Sequence, residues 1–252
     1  MNDIFRNAKT NCVLALVLCC TAGTAGAGAT KLANLPTQKD KNNKAAASAS
    51  LFSPDKGKFR ILLDGKVVGN EDFEIAPSGD TWMARDSTSA HAPDGTEIKA
   101  TGQLRVSADG TPLQYQWSAQ TKKKASGVVD FSGGTAKSAI DLGASAPFLQ
   151  DFTFNSPRVA VLDNNLYYQY GVLALLYDRN TGGKQEFPVL IPQDSTPGTI
   201  SVESLGSQQV EGGKYETLRV NSADLEILLY LDASHHLMRI DVPASKVTIV
   251  RE

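Results

Sequence analysis

The chain has 252 residues, of which 41% are hydrophobic and 21% are charged, and its formal net charge at pH 7 is −2. This balance excludes a polybasic protein that is attracted as a whole to nucleic acid or to anionic membranes. A chain of this length can bury enough apolar surface to be stable without disulfides.

The first 29 residues have the order of features that is typical of a secretory signal peptide. Arg6 and Lys9 precede an apolar stretch from Cys12 to Cys20, which is too short to span a bilayer. Small-residue cleavage motifs follow between Ala25 and Ala29, and the cleavage site within them stays open. The alternative is a buried N-terminal helix. We predict a cleaved signal peptide over residues 1–29 and a periplasmic protein with no transmembrane segment in the mature chain.

All three cysteines lie inside this predicted signal peptide. The mature chain would therefore have no disulfide, no thiolate nucleophile and no cysteine metal ligand, which suits an oxidising compartment. Cys19 and Cys20 could suggest lipid modification. They are preceded by Leu18 and Cys19, whereas lipoprotein processing favours a small residue before the modified cysteine, so the sequence argues against a lipid anchor. Without Arg6, Lys9 and Asp3 the chain carries 23 basic and 26 acidic residues.

Residues 30–51 are rich in lysine, asparagine, alanine and serine and hold too little apolar surface to offset the entropy of ordering. They predict a disordered leader, with a short helix near residues 41–50 as the alternative. Residues 52–252 then form one predicted domain of antiparallel strands. Phe59 and Ile61 begin an alternation of apolar and polar residues, which continues through Ile98 and Leu104 and indicates a sheet with one wet face.

Turn signals separate these apolar runs at short intervals, so sequential hairpins should form a meander. The signals are Asp64-Gly65, Pro77-Ser78-Gly79, Pro93-Asp94-Gly95, Asp109-Gly110, Gly133-Gly134, Gly182-Gly183 and Gly212-Gly213. Near the C-terminus, Ile227, Leu229 and Leu231 share one face of a strand. Leu228 and Tyr230 make its other face partly apolar, which predicts a central, covered strand.

One segment, from Leu162 to Asp178, reads as a helix instead. Leu166, Tyr170, Leu173 and Tyr177 are spaced at i, i+4, i+7 and i+11. Asp163 or Asn164 could cap its start, and Gly182 or Gly183 lies just past its end. Because Val172, Leu175 and Leu176 lie on the opposite side, the helix is apolar nearly all round. We therefore expect it to be covered on more than one face.

Motifs for catalysis are scarce. The chain has no G-x-S-x-G elbow and no phosphate-binding glycine loop, and His91, His235 and His236 fall in predicted loops or turns. Paired carboxylates, such as Glu71 with Asp72 or Asp224 with Glu226, are predicted at strand ends or on solvent faces, where they discourage edge pairing. The run from Lys122 to Lys124 predicts a solvated loop or edge strand, with a weak contact to anionic headgroups as the alternative. We predict no enzyme, no metal and no cofactor.

Five stretches carry a resemblance to a family of exported bacterial proteins known as a domain of unknown function. They are residues 59–75, 110–115, 161–178, 187–193 and 229–243, and the resemblance covers roughly residues 55–250. Such proteins resemble the incomplete barrels of lipoprotein carriers of the LolA/LolB type. The resemblance implies a mainly β fold in which a curled antiparallel meander packs around one internal α-helix. These carriers have several helices, and this chain has one.

A single-layer sheet that curls cannot close its own core, so the helix should fill the concave side and leave a cleft. We predict a non-enzymatic envelope protein that binds an apolar or amphipathic ligand, such as a lipid, an acyl chain or a lipoprotein segment, between sheet and helix. The predicted ligand-binding residues are Tyr167, Tyr170, Leu173, Tyr177, Tyr115 and Trp117. The alternative is a scaffold protein whose core is filled and whose sheet edge recruits an envelope partner. An unrecognised hydrolase is the third possibility.

Overall fold

The structure is a computed structural model that describes residues 50–211, 213–223 and 225–252. The predicted signal peptide, its cysteines, residues 30–49 of the predicted leader and Asp224 lie outside the described residues. Within the described part, no helix has the length and apolar character needed to cross a bilayer.

Fifteen strands and one α-helix make up the described fold. The strands are β1 (Asp55–Leu63), β2 (Lys66–Ser78), β3 (Thr81–His91), β4 (Glu97–Val106), β5 (Pro112–Gln120), β6 (Lys124–Ser132), β7 (Thr135–Asp141), β8 (Phe148–Thr153), β9 (Ala160–Val161), β10 (Gln185–Ile191), β11 (Thr196–Val210), β12 (Gly213–Asn221), β13 (Glu226–Leu231), β14 (Leu237–Val242) and β15 (Val247–Arg251). The helix is α1 (Tyr168–Leu176), and short 3₁₀ turns follow β10 and β14 at Pro192–Asp194 and Pro243–Ser245.

All fifteen strands belong to one sheet. Its order runs from β8 down to β1, then from β15 down to β9, so nearly every strand pairs with its neighbour in sequence. The first and last strands, β1 and β15, pair in the middle of the sheet. The sheet curls far enough for β9 to approach β5, but it does not close into a barrel. The predicted fold, a curled antiparallel meander around one internal helix, is confirmed.

The period-two pattern and the turn residues explain the hairpins. In β4, buried and exposed residues alternate without a break from Glu97 to Val106. Between β1 and β2, Asp64 and Gly65 both have positive φ, at 50° and 76°. Two consecutive positive φ angles define the turn whose twist matches that of a tight hairpin. The central, covered position predicted for residues 225–231 is also confirmed, since β13 lies between β12 and β14.

Large side chains of one strand lie over glycines of the neighbouring strand. The Phe73 ring reaches within 2.8 Å of the point where a Cβ of Gly57 would stand. Trp117 Nε1 comes within 2.6 Å of the equivalent point of Gly127. Glycine within a strand lets another group approach the backbone closely and is frequent where a sheet bends. These glycines therefore make room for the contents of the curl.

The helix is shorter than the sequence predicts. It spans Tyr168–Leu176, whereas the predicted segment began at Leu162. The residues before it are not helical: β9 pairs parallel with β10, the N–H of Leu162 donates to the carbonyl of Leu190 at 3.1 Å, and the chain bends at Asn164 and Asn165. Of the nine helical residues only Leu175 is not fully buried, which confirms that the helix is covered on more than one face.

Candidate functional site

The six residues predicted to bind a ligand all lie in the core. Their exposed fractions are 0% for Tyr167, 1% for Tyr170, 1% for Leu173, 3% for Tyr177, 0% for Tyr115 and 5% for Trp117. The cavity that the structure shows beside the helix measures about 10 Å³ and is lined by Leu173, Leu176 and Leu104, among others. Such a cavity has room for about one water molecule. The sheet–helix space described here is therefore filled by the protein's own side chains, and ligand binding by these six residues stays a prediction.

Two tyrosine hydroxyls of this set, those of Tyr115 and Tyr177, have partners within the protein. Tyr115 donates to Asp163 Oδ2 at 2.6 Å, and Gln169 Nε2 donates to the Tyr115 hydroxyl at 2.9 Å. The Tyr177 hydroxyl donates to the carbonyl of Gly183 at 2.8 Å. The structure thus brings Tyr115 together with a polar group at the start of the helix, while Tyr177 is fixed at the other end.

Glu71 lies at the centre of that polar group, and its position corrects the prediction that it lies at a strand end or on a solvent face. It is fully buried in the middle of β2. Its carboxylate accepts hydrogen bonds from the backbone N–H groups of Tyr167 at 2.7 Å and Tyr168 at 2.8 Å, and from the Thr88 hydroxyl at 3.3 Å. A carboxylate here satisfies N–H groups that have no partner within the helix and complements the helix dipole.

The expected caps at Asp163 and Asn164 are therefore wrong, since Glu71 takes that role from a strand 96 residues away. The sequence did contain a signal for the inward position of Glu71. It precedes Phe73 and Ile75 at two-residue spacing, so the alternation that points those side chains into the core points Glu71 there as well.

Asp163 is the second buried carboxylate of the polar group. Besides the Tyr115 hydroxyl it accepts hydrogen bonds from the backbone N–H of Asn165, at 2.9 Å, and from Gln193 Nε2. Burial raises its pKa from an ordinary value near 4 to about 6, although these hydrogen bonds act in the opposite direction.

Asp86 is the third, and its side chain meets Gly102 on the neighbouring strand. A Cβ added to Gly102 would overlap the Asp86 carboxylate and stand 3.1 Å from the Tyr115 hydroxyl. Burial, followed by the charges of Glu71 and Asp163, raises the pKa of Asp86 well above its usual range. Burial likewise raises the pKa of Glu71 to about 8, against the lowering effect of the two helix N–H groups. Three acids with raised pKa values therefore share one interior site, which we call the acid cluster (Glu71, Asp86 and Asp163).

The acid cluster can hold protons, and it has no histidine or cysteine in it. No group of three or more His, Cys, Asp or Glu residues in the described segments is arranged to hold a metal ion. Of the histidines, His236 pairs with Asp232 at 3.1 Å in a turn, and His235 contacts Glu216 at 3.4 Å. The predicted turn positions of these two histidines are confirmed.

An open groove lies near the β8 edge of the sheet, where strands β5, β6 and β7 meet the segment that leads to β8. We call it the edge groove; its volume is about 550 Å³, within the range of ligand sites. Trp117 is the one predicted ligand-binding residue that lines it, and Trp117 Nε1 is a buried donor with no hydrogen-bond partner among the described residues. The other lining residues are Gln116, Ser126, Gly127, Val128, Ala139, Asp141, Ala144, Ser145, Ala146 and Pro147.

Apolar side chains are exposed beside this groove. Leu142 is 55% exposed, Phe148 45% and Leu149 70%, and together they form what we call the apolar rim. Phe148 and Leu149 belong to β8, which ends the sheet and pairs only with β7 among the described strands. An exposed strand edge with apolar side chains is a common docking place for another extended chain.

Comparison with known proteins places the fold in a class of open, β-barrel-like domains. No protein-family model and no curated protein matches the chain. Among solved structures it resembles a β-barrel-like protein of the domain of unknown function DUF1849 from Brucella abortus, with 10% identity and a TM-score of 0.54, over 79% of this chain and 94% of that one. A DUF1089 family protein from Pseudomonas aeruginosa has 13% identity and a TM-score of 0.39, over 81% and 97%. The first likeness supports the fold and says nothing of a ligand.

Proposed function

We propose that this protein is a non-enzymatic, exported binding protein that captures an extended, amphipathic segment of a protein partner along β8. The segment would add a strand to the free edge of β8. Because consecutive side chains of a strand point to opposite faces, its apolar side chains would contact Phe148 on one face of the sheet and Leu149 on the other. One or more of its side chains would enter the edge groove. Export to the periplasm rests on the signal-like residues 1–29.

The observation that carries this proposal is the contrast between a filled interior and an open edge. The cavity beside α1 is about 10 Å³, while the edge groove is about 550 Å³. The side chains of a bound segment therefore have room at the edge without a rearrangement of the core. The groove also offers mixed chemistry, because Trp117 Nε1 can donate a hydrogen bond and Asp141 is charged.

The composition of β8 supports an extended polypeptide as the occupant. Edge strands that avoid pairing usually carry lysine, proline or a bulge. β8 has the sequence FLQDFT, in which Asp151 is the only charge, and it pairs with β7 without a bulge. An extended peptide satisfies the backbone groups of such an edge, which a lipid cannot do.

Site-specific photo-crosslinking in the native host tests the proposal. A benzophenone amino acid at Leu149 should give one discrete crosslinked protein. The same probe at Gln103, which is exposed on β4, should give none. Adding Leu142→Ser and Phe148→Ser should abolish the Leu149 product while thermal stability is kept. Equal products from both probe positions, or no product from Leu149, would contradict binding at this edge.

Binding of a lipid or acyl chain between α1 and the sheet is the second candidate. The apolar character of α1 on all sides favours it. The helix would have to move outward, because the cavity beside it admits about one water molecule. Lipid extraction of protein purified from its own cells, followed by mass spectrometry, separates the candidates. A reproducible lipid at one molecule per chain supports the cleft, and its absence together with a crosslinked partner supports the edge.

A further inference from the structure

We propose that the acid cluster is a proton-operated latch that fastens the start of α1 to the sheet, holding the helix when the cluster is protonated and releasing it as protons are lost. The proposal concerns the interior and does not depend on a partner at β8. It rests first on where three acidic side chains from distant parts of the chain meet.

The three carboxyl groups come from different elements and converge at one helix end. Glu71 is on β2, Asp86 on β3 and Asp163 on the segment that connects β9 to α1, and their exposed fractions are 0%, 6% and 3%. Glu71 binds the first N–H groups of the helix directly, and Asp163 orders the segment before it through the N–H of Asn165. A change of charge in the cluster therefore acts on the attachment of α1.

The charged groups that face the cluster do not neutralise it. Asp194, from the turn after β10, adds negative charge next to Asp163. From β15, Arg251 faces Tyr168, but its guanidinium is bound to Asp55 at 2.6 Å and lies over the Phe73 ring. Tyr115 and Thr88 contribute neutral hydroxyls. The charged residues Lys56, Asp72, Glu74 and Arg85 line a groove together with Asp86, but neither Lys56 nor Arg85 lowers its pKa appreciably. Buried carboxylates without a cation are costly when ionised, so protons take the place of a counter-ion.

The hydrogen bonds indicate which acid keeps its proton. Glu71 and Asp163 each accept three hydrogen bonds, which stabilise their ionised forms. Asp86 faces both of these acids, and Gln169 is its neighbour from α1. The hydrogen bond between Gln169 and Asp86 lowers the pKa of Asp86, but burial and the charges of Glu71 and Asp163 outweigh it. Asp86 is therefore the acid of the cluster that keeps its proton.

Protons can reach Asp86 without unfolding of the protein. Asp86 lines an open groove of about 390 Å³, together with Gly57, Gly102 and Lys56. The two glycines have no side chain to close the floor of the groove. The latch is therefore connected to the pH of the solvent around the folded protein.

The direction of the pH effect follows from the raised pKa values. Unfolded carboxyl groups have pKa values of about 4, whereas that of Asp163 is about 6 and that of Glu71 about 8 in the folded protein. Between these values the folded state binds more protons than the unfolded state. The contribution of the cluster to folding stability should therefore be fully present below about pH 4 and fall as the pH rises towards 8.

The test compares wild type, Asp86→Asn and Asp72→Asn from pH 5 to pH 9. Asp72 is the exposed neighbour of Glu71 on β2 and serves as the matched control. In wild type and in Asp72→Asn, pH-corrected protection of the Tyr167 and Tyr168 amides should fall by up to about tenfold per pH unit, which is the dependence expected for one linked proton. In Asp86→Asn the fall should be clearly shallower than in wild type, because the proton of Asp86 is missing while Glu71 and Asp163 still titrate. A profile in Asp86→Asn that parallels wild type overturns the proposal.

A second measurement on wild type removes any dependence on how well the variant folds. Infrared spectra of protein labelled with ¹³C at the aspartate carboxyl carbons should show a protonated carboxylic acid band at pH 7. That band should disappear reversibly at alkaline pH, together with the protection of the Tyr168 amide. Complete ionisation of all aspartates at pH 7 would overturn the latch.

Discussion

The start of α1 and the free edge at β8 are opposite solutions to the problem of unpaired backbone groups. At the helix start, the N–H groups of Tyr167 and Tyr168 are buried, and a carboxylate from another strand satisfies them at 2.7 and 2.8 Å. At β8, the strand edge faces outward, and its neighbouring side chains Phe148 and Leu149 are exposed. The first region is closed and depends on charge, whereas the second is open and depends on what arrives from outside.

We infer that the start of α1 serves stability and that the β8 edge is available for binding. Substitutions near α1 should lower the free energy of unfolding and leave edge contacts intact. Substitutions on the apolar rim should do the reverse. Four variants test whether the two regions are separate in this way. They follow in order of decreasing expected loss of stability.

Leu173→Ala should have the largest effect. Leu173 is 1% exposed on α1, and truncation of a buried leucine removes apolar contacts and leaves a cavity. We expect a loss of about 2–5 kcal/mol in the free energy of unfolding, measured by urea denaturation. Leu175→Ala on the same helix is the control, since Leu175 is only partly buried, and it should cost clearly less. Equal losses for both would mean that α1 is not packed as described.

Gly102→Ala should come next. The added methyl group would overlap the Asp86 carboxylate and press on Leu166, so the sheet or the acid cluster must shift. Overpacking of this kind costs about 1–3 kcal/mol, to be measured by the same denaturation experiment. Gln103→Ala, at the exposed next position of β4, should change little. If Gly102→Ala leaves the free energy of unfolding unchanged, the packing around Gly102 is looser than the distances indicate.

Glu71→Gln should lower stability by about 1–3 kcal/mol at pH 5, where the wild-type acid cluster is protonated, because the amide nitrogen cannot accept a hydrogen bond and leaves a buried helix N–H without a good partner. The loss should be accompanied by faster exchange of the Tyr168 amide. Glu74→Gln, on the other face of β2, is the matched control. If both variants exchange at the wild-type rate, Glu71 does not cap the helix.

Leu149→Lys should have the smallest effect on stability, within about 0.5 kcal/mol, because Leu149 is 70% exposed. Its effect on binding should be large, since a charge on the edge strand opposes the addition of another strand. Crosslinking from a probe placed at Phe148 should therefore be lost in this variant. A stable Leu149→Lys protein that still gives the crosslinked product would break the proposed division between core and edge.

Much of the fold could be predicted from local patterns. The alternation in β4, the Asp64-Gly65 turn and the doubly covered helix all follow from spacing that is visible in the sequence. The parallel strand β9 could not be predicted, because two buried residues have no periodicity and their pairing with β10 depends on how the chain returns to the sheet. The start of α1 was predicted six residues too early, because the apolar residues that begin at Leu162 belong to a non-helical connection whose path depends on the same return to the sheet.

The candidate sites were less accessible to such reasoning. Trp117 was predicted to bind a ligand beside the helix. It lines an open groove near the edge of the sheet instead, where it packs against Gly127. Glu71 was assigned to solvent because charged residues are usually exposed. Its actual partners, Tyr167 and Thr88, lie 96 and 17 residues away, so no local pattern names them.

The strands, most of their turns and the presence of one apolar helix follow from local sequence patterns, because they depend on residues that are neighbours along the chain. The filled curl, the meeting of three acids at the start of the helix and the open edge at β8 become visible only in the folded protein. These features depend on how twist accumulates over fifteen strands and on the side-chain volumes that meet inside, which are sums over distant residues.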